Sequence, residues 1–204
     1  MAISYPLSLP AGNVARVEFS FDAVVGVSES PFSSEQQVYA HQGGKWRAKV
    51  ELPPMRRADA EPWVAFFLAL NGREGTFLMG DPVNIAPRGT WAGTPVVKGA
   101  GQTGRVLLLD GFDPFATVKA GDWLQLGSGS GTRLHKATQD QTADSGGEMY
   151  LPIWPRLRAS PDDNATVTSA SPKGRWRLAS PGNSWALEPA ALYAGMSFEA
   201  VEAL

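Results

Sequence analysis

The sequence predicts a mainly β (α+β) fold, in which a β-sandwich or barrel with one flanking helix carries a small inserted β-barrel or sandwich. The chain of 204 residues contains 22 glycines and 16 prolines, which favours many turns and short strands over long helices. Several short runs alternate apolar and polar residues, as strands with one buried face do. Helical spacing of apolar residues is clear in one segment, which begins at Trp63.

The clearest strand covers residues 45–52. Four apolar residues alternate there with four charged ones, Lys45, Arg47, Lys49 and Glu51. A period of two places all the charges on one face of the strand and the apolar groups on the other. Residues 37–41 form a second strand-like run, and Gln42-Gly43-Gly44 between the two runs is a turn signal. The pattern therefore predicts a β-hairpin.

One helix is predicted over residues 59–71. Asp59 suits the N-cap, and Pro62 suits the first turn, where a missing N–H costs little. Asn71-Gly72 is a typical helix end. Between these two ends, four apolar residues are spaced at i, i+3, i+4 and i+7, namely Trp63, Phe66, Phe67 and Leu70. This stripe must be buried, and the sheet is the available surface.

Two segments suggest contacts with another subunit. An extended segment at the N-terminus carries alternating apolar residues on one side, Ile3, Tyr5, Leu7 and Leu9. It is either an edge strand that closes the domain or an arm that packs on a neighbouring subunit. Arg56 and Arg57 precede a helix N-terminus, where positive charge is unfavourable. They are either an intersubunit or acidic-partner contact or simply solvated.

The chain divides by composition into two predicted domains. Residues 1–82 and 173–204 contain the longer alternating strands and the helix, and they form one β domain. Residues 83–172 contain short strands separated by turns rich in glycine, serine and proline, which is typical of a small barrel or sandwich. The sequence therefore predicts that 83–172 is an insertion whose ends lie close together.

Composition excludes several classes of function. A net charge of −2 implies no bulk attraction to nucleic acid or to an anionic membrane. The chain has no cysteine, and its two histidines, His41 and His135, lie in no zinc-binding spacing. Residues 127–131 match G-x-S-x-G, but no helix follows to form a nucleophile elbow. The five aspartates of the middle segment lie in turns, where they cap backbone amides: Asp110, Asp113, Asp122, Asp140 and Asp144. We expect no enzyme, catalytic residue, cofactor or metal.

The chain resembles tail proteins of siphophages and prophages. The resemblance lies in residues 3–10, 46–55 and 63–68, and in 75–82, which reads Gly-Thr-Phe-Leu-Met-Gly-Asp-Pro. Residues 119–123, 142–144 and 151–158 look like small β modules of such proteins. The likeness covers most of the chain, and its motifs are architectural. It includes no catalytic signature.

The family most similar in these features is the distal tail protein. The resemblance implies a tail-tube-like β domain with a flanking helix, assembled as a homohexameric ring that joins the tail tube to the tip or baseplate. Partners would be the tail tube, the hub or tip and the tape measure protein, with the protein made in the host bacterial cytoplasm and located in the virion tail. A tube or terminator ring would share much of the fold. In a ring, Lys45, Arg47, Lys49 and Glu51 either face the lumen or form a plain solvated face.

A second hypothesis is a carbohydrate-binding module that contacts the host surface. Aromatic rings bind sugars by stacking on their apolar faces, and the middle segment contains three candidate tryptophans, Trp91, Trp123 and Trp154. The alternative for these residues is the core of the small barrel. A third hypothesis, a hydrolase that uses the turn carboxylates, has the least support. Membrane insertion is not expected, because no apolar run approaches the roughly 20 residues of a spanning helix, and the N-terminus lacks the basic region of a signal peptide.

Overall fold

The computed structural model describes residues 3–12, 14–189 and 192–204. Strand accounts for 44% of the chain and helix for 9%, which confirms the mainly β fold class. The elements in chain order are β1 (Leu7–Ser8), β2 (Arg16–Asp22), β3 (Val25–Glu29), β4 (Gln36–Ala40), β5 (Lys45–Glu51), β6 (Met55–Arg56), α1 (Arg57–Leu70), β7 (Phe77–Met79), β8 (Gly93–Val97), β9 (Gly104–Phe112), β10 (Thr117–Val118), β11 (Trp123–Leu126), the 3₁₀ turn η1 (Gly129–Gly131), β12 (Arg133–Ala137), β13 (Gln141–Thr142), β14 (Met149–Leu157), β15 (Val167–Thr168), β16 (Gly174–Leu178), β17 (Ala186–Glu188), β18 (Leu192–Ala194) and β19 (Ser197–Glu202).

The first large sheet has six strands in the order β1-β7-β16-β19-β5-β2. Its central strands come from both ends of the chain, because β5 pairs along its length with β2 on one side and β19 on the other. The apolar residues of β5 face the core, as their period of two requires. β1 joins the far edge and runs parallel to β7.

Helix α1 packs its aromatic stripe on the inner face of this sheet. Trp63 and Phe67 lie against Phe198 of β19, with ring centroids 6.2 Å and 5.4 Å apart. Phe66 lies 5.4 Å from Phe77 of β7. The helix ends at Asn71, which adopts the left-handed conformation with φ 49°, as the sequence predicts.

The predicted start of the helix, residue 59, is two residues too late. The helix begins at Arg57, and Asp59 lies inside the first turn instead of at the N-cap. Arg56 occupies the N-cap position in an extended conformation without a capping side-chain hydrogen bond. The reason is a long-range strand pairing, because Arg56 and Met55 are held beside Leu192 and Tyr193 of β18. That pairing fixes where the extended backbone stops.

The predicted hairpin between residues 37–41 and 45–52 is also wrong. β4 pairs with β3 in an isolated two-stranded ribbon, and β5 lies between β2 and β19. The glycines at 43 and 44 let the chain cross from the ribbon to the sheet. A turn signal shows where a strand ends, but the core selects the neighbour that the next strand takes. Trp46, Ala48 and Val50 are buried in the core, which β4 does not reach.

The second large sheet has the order β15-β11-β12-β14-β9-β8 and curls into a nearly closed barrel. A β-bridge between Val96 and Thr166 brings the two edges together, and the Val97 amide donates to the Ala165 carbonyl at 3.0 Å. All strands of this sheet lie between Gly93 and Thr168. The barrel has its own apolar core, which includes Leu107, Leu109 and Leu151.

The two large sheets share a boundary in which side chains of both are buried. Trp123 and Leu134 of the barrel belong to the core of the first sheet, beside Trp46 and Trp176. The backbones approach closely, since a Cβ added at Gly174 would lie 2.9 Å from the Leu134 Cβ. The inner face of the first sheet is therefore covered partly by α1 and partly by the barrel. Division of the chain into two domains stays a prediction. In the described residues, no helix is long and apolar enough to cross a membrane.

Candidate functional site

The outer face of the first sheet carries the charged residues of β5. Arg47 and Lys49 are exposed, whereas Lys45 and Glu51 are half-buried, and all four side chains point away from the core. Arg47 Nε lies 2.5 Å from Asp22 Oδ2, and Lys49 Nζ lies 3.7 Å from Glu51 Oε1. The face therefore carries paired charges of both signs. Its position in the lumen of a ring stays a prediction.

Strands β3 and β4 form a two-stranded ribbon in which every residue is exposed. The register places Val25, Val27, Val38 and Ala40 on one face. The three valines are 47%, 60% and 63% exposed, and Phe32 in the connecting loop is 98% exposed. In the described part of the chain, β3 and β4 pair only with each other. An apolar face thus projects into solvent without support from the core.

The sequence pattern of this ribbon is weak. Its signal is the alternation of valine with glycine and serine in 25–28, followed by a weaker pattern in 36–40, where Val38 and Ala40 alternate with Gln37 and Tyr39. Alternation indicates one apolar face, but it does not show whether the chain's own core or another chain covers that face. The tertiary structure was needed to see that the core does not cover it.

The N-terminal segment packs on its own chain. The Tyr5 hydroxyl donates to the Ala69 carbonyl at 2.6 Å, and the Leu7 amide donates to the Thr76 carbonyl at 2.8 Å. Tyr5, Leu7 and Leu9 are partly buried against the first core, whereas Ile3 is 53% exposed. The segment is thus an edge strand of its own chain's first sheet, which is one of the two alternatives that the sequence left open. An intersubunit contact stays a prediction, and Ile3 is the residue of this set best placed for it.

Arg56 and Arg57 are both exposed at the start of α1. Arg57 Nε lies 3.3 Å from Glu61 Oε1 in an i,i+4 pair, which offsets the unfavourable position of this charge at a helix N-terminus. Glu61 also accepts a hydrogen bond from the Tyr193 hydroxyl at 2.7 Å. That bond, aided by Arg57, lowers the pKa of Glu61 although partial desolvation opposes it. An intersubunit role for the arginine pair stays a prediction.

The tryptophans considered for glycan stacking are structural, and this corrects the prediction for two of them. Trp91 and Trp123 are only 6% and 4% exposed, so neither offers a ring face to a sugar. The Trp91 Nε1 donates to Asp122 Oδ2 at 2.9 Å, and the Trp123 Nε1 donates to Asp81 Oδ2 at 3.2 Å. Both rings are large apolar groups that fill the two cores.

Trp154 is half-buried at the boundary between the sheets. Its ring is 4.4 Å from that of Trp46 and 5.0 Å from that of Phe21, both in edge-to-face contact. Of the three tryptophans, it is the one that keeps exposed surface. A single, partly covered ring gives little support to the carbohydrate-binding hypothesis.

Asp122, Asp140 and Asp144 cap backbone amides as predicted. Asp110 instead lies inside strand β9, and no side-chain hydrogen bond of Asp113 is seen among the described residues. Asp122 accepts from the amides of Arg88, Gly89 and Lys119 at 2.7, 3.0 and 2.9 Å, besides the bond from Trp91. Burial raises the pKa of Asp122, but the hydrogen bonds to its carboxylate outweigh burial, and the pKa lies below its ordinary value. Asp140 and Asp144 make similar bonds to the amides of Ala120 and Gly146.

Neither histidine lies in an arrangement suited to catalysis. His41 is exposed, whereas His135 is buried and its Nδ1 lies 2.8 Å from the Pro155 carbonyl oxygen. Burial lowers the pKa of His135 to about 4, so the ring is neutral at pH 7 and Nδ1 carries the proton. The glycine-serine segment at 127–131 contains η1 and connects the paired strands β11 and β12. The described residues contain no group of three or more potential metal ligands.

A buried polar junction links the two sheets. Glu202 is 6% exposed, accepts from the Trp46 amide at 3.1 Å and lies 3.1 Å from Arg158 Nη2. Arg158 also donates to the Gly44 carbonyl, and Trp46 Nε1 donates to the Leu134 carbonyl at 3.0 Å. No sequence pattern predicts this junction. Its partners are far apart in the chain, so no local pattern relates them.

No protein-family model and no curated protein matches the sequence.

Proposed function

We propose that this chain is a ring-forming structural protein of a siphophage or prophage tail, of the distal tail type. The observation that carries the proposal is the exposed apolar face of the β3–β4 ribbon. A two-stranded ribbon is only marginally stable in water by itself. An apolar patch of this kind generally marks a contact with another molecule.

The partner that we propose for the ribbon is a second copy of the chain. β3 follows β2 and β4 precedes β5 in the chain, so the ribbon is attached at the β5–β2 side of the first sheet. In a neighbouring copy, a different surface, the sheet or the helix, would receive its apolar face. Such a contact is heterologous, and repeated around an axis it closes into a ring. The sheet also ends in an edge strand, β2, whose outer backbone groups are open to pairing in the described structure.

The biological role in this proposal comes from the resemblance of the sequence to distal tail proteins. In that role the chain forms a homohexamer in the virion tail and binds the tail tube on one side and the hub or tip and the tape measure protein on the other. It is made in the cytoplasm of the bacterial host. The proposal includes no enzymatic activity, cofactor, specific nucleic-acid binding or membrane insertion. A tube or terminator ring is the alternative within the same structural class.

The charged outer face of the first sheet fits the wall of a channel in such a ring. Its ion pairs mix both signs, so that the surface stays hydrated without a strong field of one sign. A passing DNA would then meet a wall that does not hold it. Lys45, Arg47, Lys49 and Glu51 are the residues that we propose for this role.

Native mass by light scattering, with negative-stain images, tests the proposal. We expect closed rings of the wild-type chain and loss of the ring in Val27→Lys, because the charge lies in the apolar face of the ribbon. Ser28→Lys is the matched control, since the next residue of the same strand points to the opposite face. A ring that survives in Val27→Lys, or a wild-type monomer that stays monomeric with the tail tube added, would contradict the proposal.

A further inference from the structure

A cleft of about 320 Å³ lies at one end of the barrel. The ends of β11 and β14 and the start of β12 form its walls, and the loop after β14 closes one side. The residues that matter for its chemistry are Arg133, His135, Arg156, Arg158, Ser160 and Asp162. No function discussed above uses this cleft.

The cleft contains more positive than negative charge. Three arginines line it, and Asp162 is the single acidic residue among its described lining residues. Arg158 is paired through Nη2 with Glu202, which lies behind the wall. Arg133 is held by the carbonyl of Thr132 at 3.0 Å, which fixes its position without neutralising its charge.

Two of these guanidinium groups have unused donors. The Nε atoms of Arg156 and Arg158 are buried, and neither makes a hydrogen bond with the described residues. A buried donor without a partner costs about 1–3 kcal/mol, and more if it is charged. Both Nε atoms have essentially no accessible surface, so they are unsatisfied donors beside the cleft, and an acceptor reaches them only if the side chains reorient.

The surroundings of Arg133 also lack negative charge. Its pKa is lowered, first by burial and then by repulsion from Arg175, and Arg158 adds to this while Glu202 opposes it. His135 adds no charge at pH 7, because burial keeps it neutral. Of the arginines that line the cleft, Arg133 and Arg158 are therefore close enough to repel one another, and an anion beside them would relieve the repulsion.

We propose that this cleft binds the phosphate or carboxylate group of a small ligand. The planar guanidinium fork matches both groups with paired hydrogen bonds, which a point charge does not. The volume is typical of a small-molecule site. Leu157, Ala159 and Pro161 form an apolar part of the cleft wall, against which the uncharged part of the ligand would pack. The site does not depend on the proposed ring.

Isothermal titration calorimetry at 150 mM salt tests this site with inorganic phosphate, glycerol 3-phosphate and glucuronate, and with glycerol as the neutral probe. We expect the anionic probes to bind and glycerol not to bind. Tighter binding of glycerol 3-phosphate than of inorganic phosphate would indicate that the natural ligand is a phosphorylated organic molecule. Equal binding would indicate that the ligand is inorganic phosphate itself. Either result supports an oxyanion site. Absence of heat from all three anions at millimolar concentration would overturn the proposal.

Substitutions of the cleft arginines test whether the anion binds in this cleft. Arg133→Gln and Arg156→Gln should each weaken binding of the best anion about tenfold or more, because each removes a charged donor. Arg156→Lys keeps the charge but loses the fork, and we expect an intermediate loss. Arg16→Gln, on the distant β2, is the control and should bind as the wild type does. Thermal melts confirm that each variant is folded, and equal affinity of the folded cleft variants and the control would overturn the proposal.

Discussion

Arg158 and Glu202 form an ion pair of 3.1 Å across the boundary between the barrel and the first sheet. The side chain of Glu202 is only 3% exposed and that of Arg158 is 17% exposed. Glu202 also accepts the amide of Trp46, and Arg158 donates to the carbonyl of Gly44. The pair therefore joins the last long strand, the start of β5 and the end of β14 in one buried network.

Glu202→Ala should destabilise the protein by about 3–5 kcal/mol, because it leaves the buried Arg158 without its counter-charge. Glu199→Ala is the matched control, since Glu199 lies on the same strand but on the exposed face, and it should change stability by less than about 0.5 kcal/mol. Urea denaturation of both variants measures the difference. Equal stability of the two would show that the pair contributes little.

Asp122→Asn should destabilise the protein at neutral pH by about 2–3 kcal/mol, because the amide accepts the four bonds less well than the carboxylate does. The pKa of Asp122 is lower in the folded state than its ordinary 3.8. Its contribution is therefore present above that value and is lost as the pH falls through the folded pKa.

The measurement for Asp122 is the free energy of unfolding between pH 7 and pH 2.5. The difference in unfolding free energy between the wild type and Asp122→Asn should narrow as the pH falls below 3.8. Asp113→Asn, at an exposed turn position, should follow the wild type throughout. A constant difference between the wild type and Asp122→Asn across the whole range would contradict the proposed ionisation of this carboxyl.

Gly174→Ala should destabilise the protein by about 1–3 kcal/mol, because the new methyl group would lie 2.9 Å from the Leu134 Cβ and 3.2 Å from the Trp176 Nε1. Gly182→Ala meets no atom within 4 Å and should have little effect. A double-mutant cycle with Leu134→Ala should show that the two changes couple, since the smaller side chain makes room. Strict additivity would mean that the sheets do not approach closely here.

Phe198→Ala should cost about 3–5 kcal/mol, because this ring contacts Trp63 and Phe67 of the helix and Phe77 of β7. Leu68→Ala is the control, since Leu68 lies on α1 beside Phe67 but is 68% exposed. Thermal unfolding by circular dichroism compares them. A loss of similar size in both variants would show that α1 is not anchored through its aromatic stripe.

Charge reversal of Lys45, Arg47 and Lys49 to glutamate should leave the monomer folded, since exposed ion pairs contribute about 1 kcal/mol or less each. If these residues line the channel of the proposed ring, assembly also survives the reversal. The measurement is native mass of the triple variant beside the wild type. Loss of the ring would place the residues at a subunit interface.

Patterns along the chain were sufficient to predict the elements that bury one face. The alternation in 45–51 and the aromatic stripe from Trp63 to Leu70 each correspond to an element with that face in the core. Part of the turn chemistry was also local, since Asp122 caps the amide of Lys119 and Asp144 that of Gly146, although Asp122 also binds the distant amide of Arg88. These features follow from the periods of strand and helix and from short-range hydrogen bonds.

Pairing between distant segments was beyond the reach of these patterns. The partner of β4, the first residue of α1 and the burial of Trp91 and Trp123 all depend on which surfaces meet in space. The arginine cleft and the junction at Glu202 likewise consist of residues that lie far apart in the sequence.

The sequence by itself determined that the protein is mainly β, that a single amphipathic helix flanks its sheet, and that the charges of β5 share one face. Periodicity carries this information, because a buried face imposes its period on neighbouring residues. The tertiary structure alone decided that the ribbon stands uncovered, that two tryptophans are core residues and that three arginines meet in one cleft. Burial and charge proximity depend on contacts between distant residues, which form only when the whole chain is folded.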